Sequence, residues 1–357
     1  MGSRQEQDER TMKVVVVEQA GKVSVREVPR PVPIAQEVLV RLDHCLLCTW
    51  EQRMFAGTAK VNFPFVPGHE VAGSIVQIPE ETITGFSVGE KVTVKTLDSC
   101  GHCEACYQGF DNLCTGTPRK RTYDGIPSSG GLAQYIALPV SRIFSLPDQD
   151  LDTRFAAFAE PLACCVHSIE QADIALGEDV VVVGAGIMGQ FHVALSRARG
   201  ARVIVVEPNK ERAVLATKMG AMEIIDPFAE DATQRILKLT NGRGAHVVFT
   251  TITQTTLAEL YIKALAKRGR IIYYGSFHPD GDIAVSPNMI HYSERVITGS
   301  YSPTTKAFYT AIRLISYGII DVRPFLSAEY PLAMAQEAFR KAQDPQTYRV
   351  SINLCET

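Results

Sequence analysis

Four cysteines crowd one short stretch, Cys100-Gly-His-Cys103-Glu-Ala-Cys106 followed by Cys114, in a C-x2-C-x2-C-x7-C spacing. Four thiolates so close can complete a tetrahedral shell around Zn²⁺. A complete shell leaves no position for substrate, so that zinc would be structural. The ligands alone also allow an iron–sulfur cluster. His102, between them, is expected to point to solvent.

A second chemical signal is Val180-Val-Val-Val-Gly184-Ala-Gly186-Ile-Met-Gly189, a Gly-x-Gly-x-x-Gly set directly after an apolar run and before a helical one. That context marks a dinucleotide turn. Gly184 permits the tight turn, Gly186 lets the backbone approach a pyrophosphate, and Gly189 lets helix and strand pack closely. Ile187 and Met188 open the helix whose N-terminus faces the phosphates. The next strand ends at Glu207, 18 residues past Gly189. A carboxylate there accepts hydrogen bonds from the adenosine ribose hydroxyls and repels a 2′-phosphate, which favours NAD over NADP. Lys210 and Arg212 follow closely and leave a minority case for NADP. A nicotinamide enzyme needs no one-electron carrier, so zinc is preferred over an iron–sulfur cluster in the cysteine loop.

Three scattered pieces could hold a second metal. They are Cys48 in Cys45-Leu-Leu-Cys48-Thr-Trp-Glu51, His69-Glu70 in Pro67-Gly-His-Glu-Val-Ala-Gly73, and Glu160 in Ala159-Glu-Pro-Leu162. A catalytic zinc keeps three protein ligands and an open position, and cysteine, histidine and carboxylate all suit it. Each piece alone has a plainer reading: a core thiol, a turn histidine, and an acid at a helix N-terminus.

These residues need elements to place them. Up to about residue 150 the chain reads as short strands punctuated by Gly and Pro, at Lys13–Glu18, Glu37–His44, Glu70–Gln77 and Lys91–Lys95, which suits a barrel or sandwich. From about residue 160 strands and helices alternate. Strands are expected at Asp179–Val183, Arg202–Glu207, Glu223–Ile225, His246–Thr250 and Arg270–Tyr274. Helices are expected at Met188–Arg199, Lys210–Met219, Ala232–Thr240 and Leu257–Lys267. This rhythm predicts an α/β, doubly wound parallel sheet. A helix near Lys306–Tyr317 and the tail Tyr348–Leu354 are expected to return to the first domain.

The 357 residues are long for one core and suit two domains. The net charge of −3, without a basic stretch, argues against a nucleic-acid partner. No apolar run approaches the roughly 20 residues of a membrane span, so no membrane partner is expected. Nine cysteines, an odd number with no secretion signal before them, favour metal binding or free thiols over a disulfide framework. A cytoplasmic location follows. Residues 1–11 read as a disordered lead-in.

With these motifs in order, and with Gly130-Gly-Leu-Ala-Gln-Tyr135 among them, the chain resembles the zinc-dependent medium-chain dehydrogenases of the alcohol, sorbitol and threonine dehydrogenase group. The similarity covers nearly all of residues 12–357. It implies a GroES-like mostly-β catalytic domain over 12–160, completed by 301–357, and a Rossmann domain over 161–300, with the active site between them. In most relatives a glycine lies nine residues past the first zinc cysteine. Gly57 has that spacing from Cys48 and not from Cys45, so Cys48 is chosen. Glutamate as third ligand, in a Glu-Pro-Leu context, marks the polyol and threonine branch, and Glu160 resembles it. Cys164 and Cys165 lie a turn further on and are weaker candidates.

The resemblance implies two zinc ions per subunit, NAD, a small-molecule substrate, and a homodimer or homotetramer joined through the cofactor-domain sheet. Zinc polarises a secondary alcohol, hydride passes to nicotinamide C4, and a ketone results. Zinc with thiolate Cys48, carboxylate Glu160 and neutral His69 carries no net charge. A fourth ligand Glu70 would make the shell −1 and weaken the Lewis acid, so Glu70 is expected to ligate only intermittently.

Two departures stand out. The family's hydroxyl two residues past the zinc cysteine carries the alcohol proton away, and here Trp50 holds that slot. Indole N–H cannot accept a proton at neutral pH. Thr49, Glu51 or a water held by Glu70 is expected to substitute, and Trp50 to form a pocket wall. Ile297-Thr-Gly-Ser-Tyr301 falls where sorbitol dehydrogenases carry a polyol-binding arginine, which leaves Tyr301 as the pocket candidate. Arg349 matches a family position on the cofactor phosphates. Thr250–Thr251 and Gly275–Phe277 fall at strand ends on the nicotinamide side. Two rival functions stay open: an NAD(P)H-dependent reductase of a biosynthetic keto or unsaturated intermediate, and a non-catalytic nucleotide-binding protein.

Overall fold

The computed structural model describes residues 10–117 and 120–355. The chain forms two units. One runs to Pro161 and resumes at Phe308, and the other is Leu162–Ala307.

The first unit is built on a seven-stranded sheet. Its path is Leu326–Pro331, Arg349–Asn353, Glu37–Leu47, Glu70–Gln77, Lys91–Val94 and Ile143–Ser145, and Tyr135–Pro139 also pairs with Glu37–Leu47. The central strand is much longer than its neighbours, and its residues Val38, Val40, Leu42 and Leu47 join Val71, Ile75, Val92 and Val94 in one core. The tail strand does return here: Val350 to Asn353 pair antiparallel with Leu47 to His44. A hairpin of Thr11–Gln19 with Lys22–Pro29 packs Val14, Val15, Val16, Val17, Val23 and Val28 into the same core. Its first strand opens at Thr11, the last residue of the expected lead-in, because Thr11 pairs with Pro29. Residues 1–9 of that lead-in lie outside the described residues.

The second unit is a six-stranded parallel sheet in the order Glu223–Ile225, Arg202–Val206, Asp179–Val183, Ala245–Thr250, Leu265–Tyr273, Val296–Gly299. By chain order this is 3-2-1-4-5-6, the doubly wound arrangement that binds a ligand where the order reverses. Asp179–Val183 is buried along its whole length. A strand covered on both faces carries an unbroken apolar run rather than alternation. The glycine turn leaves its C-terminal end, at the reversal point.

One expected helix fails. Leu257–Lys267 is a short helix Thr255–Ala258, a 3-10 turn Leu260–Ala264, and the start of a strand at Leu265. Leu265 already pairs with Ala245. The approach is very close: a Cβ on Gly244 would lie 2.5 Å from the Ala264 carbonyl oxygen. Backbone contact of that kind with the neighbouring strand leaves no room for the helix to continue. Among the described residues no helix is long and apolar enough to cross a membrane.

Candidate metal centres and dinucleotide turn

Cys48 sits at the junction of the central strand and the helix Thr49–Phe55 and caps that helix. Its Sγ accepts from the Trp50 amide at 3.1 Å, and the Glu51 carboxylate accepts from the Cys48 amide at 3.1 Å. This is a capping box with a thiol in place of the usual hydroxyl. The box fixes the Cys48 rotamer and turns Glu51 inward.

Glu51 is fully buried. Its Oε1 also accepts from the Gly68 amide at 3.1 Å and faces His69 Nδ1 at 3.1 Å, while His69 Nε2 lies 3.4 Å from Cys48 Sγ. The hydrogen-bond network therefore assigns the proton to Nδ1 and leaves Nε2 facing the thiol. A tetrahedral zinc, with about 2.3 Å to sulfur and about 2.0 Å to nitrogen, holds such atoms roughly 3.5 Å apart. The donors fit one cation. Burial and then the Glu51 charge push the Cys48 thiol up to about 12. Burial works against a charge on His69, yet Glu51 and Cys48 together raise it well above the usual histidine value. Cys48 and His69 must give up these protons to ligate, so metal binding here would release protons.

Glu160 opens the helix Ala159–Ala172, where Pro161 is tolerated because first-turn amides have no partner within the helix. His69, Glu70 and Glu160 offer ligand atoms within 4.8 Å of one another, as do Cys48, Glu51 and His69. His69 is common to both groups.

Three sequence expectations change here. Glu51 is no open proton relay: it takes two backbone amides and His69, which makes it the partner that orients the histidine. Thr49 is exposed. Glu70 and Arg349 form one buried ion pair, with Nε–Oε2 and Nη2–Oε1 both 2.8 Å. The guanidinium assigned to the cofactor phosphates thus has two of its nitrogens on Glu70. Each Glu70 oxygen takes one guanidinium nitrogen and keeps a lone pair, and the pair cancels the extra negative charge beside the shell. Trp50 is half-buried and stands edge-on to His69, with centroids 6.1 Å apart, and to Phe65 at 5.7 Å. Its ring therefore lies beside His69. Cys45 is buried, its Sγ 2.8 Å from where a Gly68 Cβ would stand. Replacing Glu51 by glutamine keeps the shape but removes the charge behind His69. Zinc affinity at this centre should fall about 10- to 100-fold, the usual worth of a ligand's outer partner, as competition with a chromogenic chelator would measure.

Cys100, Cys103, Cys106 and Cys114 bring four sulfurs within 4.8 Å of one another, and Cys103 and Cys114 are 3.9 Å apart. A ZnS4 tetrahedron has edges of roughly 3.8 Å. The Cys100 amide donates to Cys114 Sγ at 3.2 Å and the Cys103 amide to Cys100 Sγ at 3.3 Å. Backbone N–H groups aimed at sulfur favour thiolates, and they lead the causes that bring Cys103 down to about 5. Gly116 closes the loop against them: a Cβ there would fall 2.4 Å from Cys100 Sγ. His102 is exposed, as expected. The loop is tied to the barrel by Asp111, which pairs with the buried Lys95 and lies 3.6 Å from buried Arg142.

The glycine turn has a backbone that glycine alone fits at two of its three positions. Gly184 has φ +90°, a Gly189 Cβ would lie 2.0 Å from the Gly184 carbonyl oxygen, and a Gly186 Cβ would meet nothing within 4 Å. Ile187 and Met188 follow at the start of the helix Ile187–Ala198, which has no side-chain cap. An open N-terminus beside a bare glycine is a cradle for phosphate. Glu207 follows its strand by one residue, is buried, and accepts from the Ala185 amide. Arg212 lies in the next helix. Thr250 is less suited to a ligand than Thr251. The Thr250 hydroxyl is buried and donates to Ile272, whereas Thr251 Oγ1 donates to the carbonyls of Val183 and Gly184 in the turn itself. Gly275 and Phe277 follow the strand Leu265–Tyr273, where Phe277 stands edge-on to Tyr273. Tyr301 is largely exposed.

The fold and these two centres are those expected of a metal-dependent, dinucleotide-binding oxidoreductase. Residues 34–148 match the alcohol dehydrogenase GroES-like domain family, and residues 188–317 the zinc-binding dehydrogenase family. A 2-dehydro-3-deoxy-L-galactonate 5-dehydrogenase of Pseudoalteromonas atlantica is 30% identical over 311 residues, 86% of this chain and 88% of the relative. A sorbitol dehydrogenase of Halalkalibacterium halodurans is 29% identical, over 95% of this chain and 98% of the relative. A Sinorhizobium meliloti structure described as a candidate zinc-binding dehydrogenase, bound to NADP, superposes with a TM-score of 0.86 at 27% identity, covering 96% of this chain and 99% of that one. The chain belongs to the zinc-dependent alcohol dehydrogenase family, on the branch that includes sorbitol dehydrogenase.

Proposed function

We propose that the chain oxidises a secondary alcohol of the polyol, cyclitol or amino-alcohol kind to the ketone with NAD. The observation that carries the metal half is the facing of Cys48 Sγ and His69 Nε2 at 3.4 Å, with Glu160 grouped about the same histidine. Cys48, His69 and Glu160 would hold a zinc with a position left for substrate. Zinc there acts as a Lewis acid toward an alcohol or carbonyl oxygen, and NAD accepts the hydride. Glu51 orients His69, Arg349 neutralises Glu70 beside the centre, and Trp50 supplies an apolar wall. A four-cysteine zinc would be scaffolding.

NAD is favoured by Glu207. Each of its oxygens takes one backbone amide, from Ala185 and Asn209, and each retains a lone pair for a ribose hydroxyl. The relatives' names, a keto-deoxy sugar acid and sorbitol, support a polyhydroxylated chain as substrate. One observation favours a second reading, an NADPH-dependent reductase: the NADP in the Sinorhizobium meliloti structure. NADH formation from NAD, measured over secondary alcohols, inositols, sugar alcohols, sugar acids and amino alcohols, tests the first reading. Turnover seen only with NADPH and a carbonyl partner would replace it with the second. A homodimer or homotetramer through the cofactor-domain sheet is part of the proposal, since Val296–Gly299 is an edge strand of that sheet.

A further inference from the structure

Gln190 is fully buried one residue past the last glycine of the turn. Its Nε2 donates to the Ala185 carbonyl at 3.2 Å and to the Arg212 carbonyl at 2.9 Å. Both partners are acceptors, so the amide cannot be flipped. Its Oε1 is left buried with no partner among the described residues. A buried amide oxygen without a donor is costly, so the two bonds on the other side must do something worth keeping.

They close a circuit. The Ala185 amide donates to Glu207 Oε2 at 2.6 Å, and the Asn209 amide to Glu207 Oε1 at 2.8 Å. Asn209 Oδ1 caps the next helix by accepting from the Arg212 amide at 3.0 Å. Gln190 then returns from Arg212 to Ala185. The backbone of Ala185, in the middle of Gly184-Ala-Gly186, is therefore held at both ends: its N–H by Glu207 and its C=O by Gln190. The phosphate turn and the turn carrying Glu207 and Arg212 become one rigid piece.

We propose that Gln190 is a positioning residue that fixes the Glu207 carboxylate against the glycine turn and so sets the preference between NAD and NADP. The proposal rests on the reading of this turn as the dinucleotide site. A fixed carboxylate accepts from ribose hydroxyls in one geometry and cannot retreat from a 2′-phosphate. Opening the circuit costs NAD its aligned acceptor and relieves the repulsion that excludes NADP.

The test is calorimetric titration of the full chain with NAD and with NADP at one ionic strength. Gln190→Leu keeps the volume and removes both donors. NAD affinity should fall about tenfold, the worth of one or two hydrogen bonds, and NADP affinity by clearly less, so that the NAD-to-NADP ratio drops at least about threefold. Asn209→Ala opens the circuit at a half-exposed position and should move the ratio the same way, which keeps the test intact if the core variant folds poorly. A general loss of structure would weaken both cofactors by one factor. An unmoved ratio in both variants, with the parent protein binding normally, overturns the proposal alone. A parent protein that binds neither cofactor overturns the dinucleotide reading, and the proposal with it.

Discussion

Replacing Glu160 by alanine should lower kcat/KM for alcohol oxidation by about 10³-fold or more and reduce the zinc content by one ion per chain. Loss of a ligand from a Lewis-acid centre removes several kcal/mol of charge stabilisation, and about 4 kcal/mol corresponds to that factor. Glu160 is the most informative of the three residues to remove. Cys48 also caps the helix Thr49–Phe55, and His69 is tied to buried Glu51, so changes at either would disturb folding as well as metal. Glu160 stands in the first turn of its own helix, where alanine is well tolerated. Zinc at Cys100, Cys103, Cys106 and Cys114 should remain, because none of those ligands contacts this centre. Metal analysis beside NADH formation separates the outcomes: full activity with one zinc lost would remove Glu160 from the chemistry.

Gly186 and Gly189 give the second large effect, and they should behave oppositely toward folding. A Cβ at Gly189 would stand 2.0 Å from the Gly184 carbonyl oxygen, a backbone atom that cannot swing aside. Gly189→Ala must therefore push the helix off the strand, at about 1–3 kcal/mol or more of stability, read as a lower Tm. Gly186 has φ −63°, ordinary for alanine, and open space around the missing Cβ. Gly186→Ala should fold and melt like the parent yet bind NAD about 10- to 100-fold more weakly, because the methyl group takes the room meant for pyrophosphate. Normal NAD binding by Gly186→Ala would mean that the phosphates do not approach there.

These predictions also mark what the sequence makes legible. The glycine turn and its strand are local: a buried valine run, three glycines and a helix lie within about twenty residues, and each glycine's role follows from its neighbours. The four-cysteine loop is local in the same way. The open metal centre is not. Cys48, His69 and Glu160 come from a strand end, a turn and a helix start, and only a resemblance paired them. Glu70 and Arg349 are 279 positions apart, and nothing in either segment announces the other. The resemblance alone gives Arg349 a phosphate role, and its buried partner is visible only in the fold. Glu51 had the right place and the wrong role, because the amides of Cys48 and Gly68 that saturate it are set by the fold. Gln190 has no sequence signal: its burial and its two acceptors are set by the fold. The helix expected at Leu257–Lys267 failed for a related reason, since strand pairing at Leu265 overrides local propensity.

The most direct test of the account is stepwise zinc removal from the parent protein with a chelator, following zinc per chain and NADH formation together. The account predicts that the rate disappears with the first, more labile equivalent, held by Cys48, His69 and Glu160, and returns when zinc is restored. The four-cysteine zinc should still be bound when activity has gone. A chain that keeps its full rate with only the four-cysteine zinc in place would contradict it.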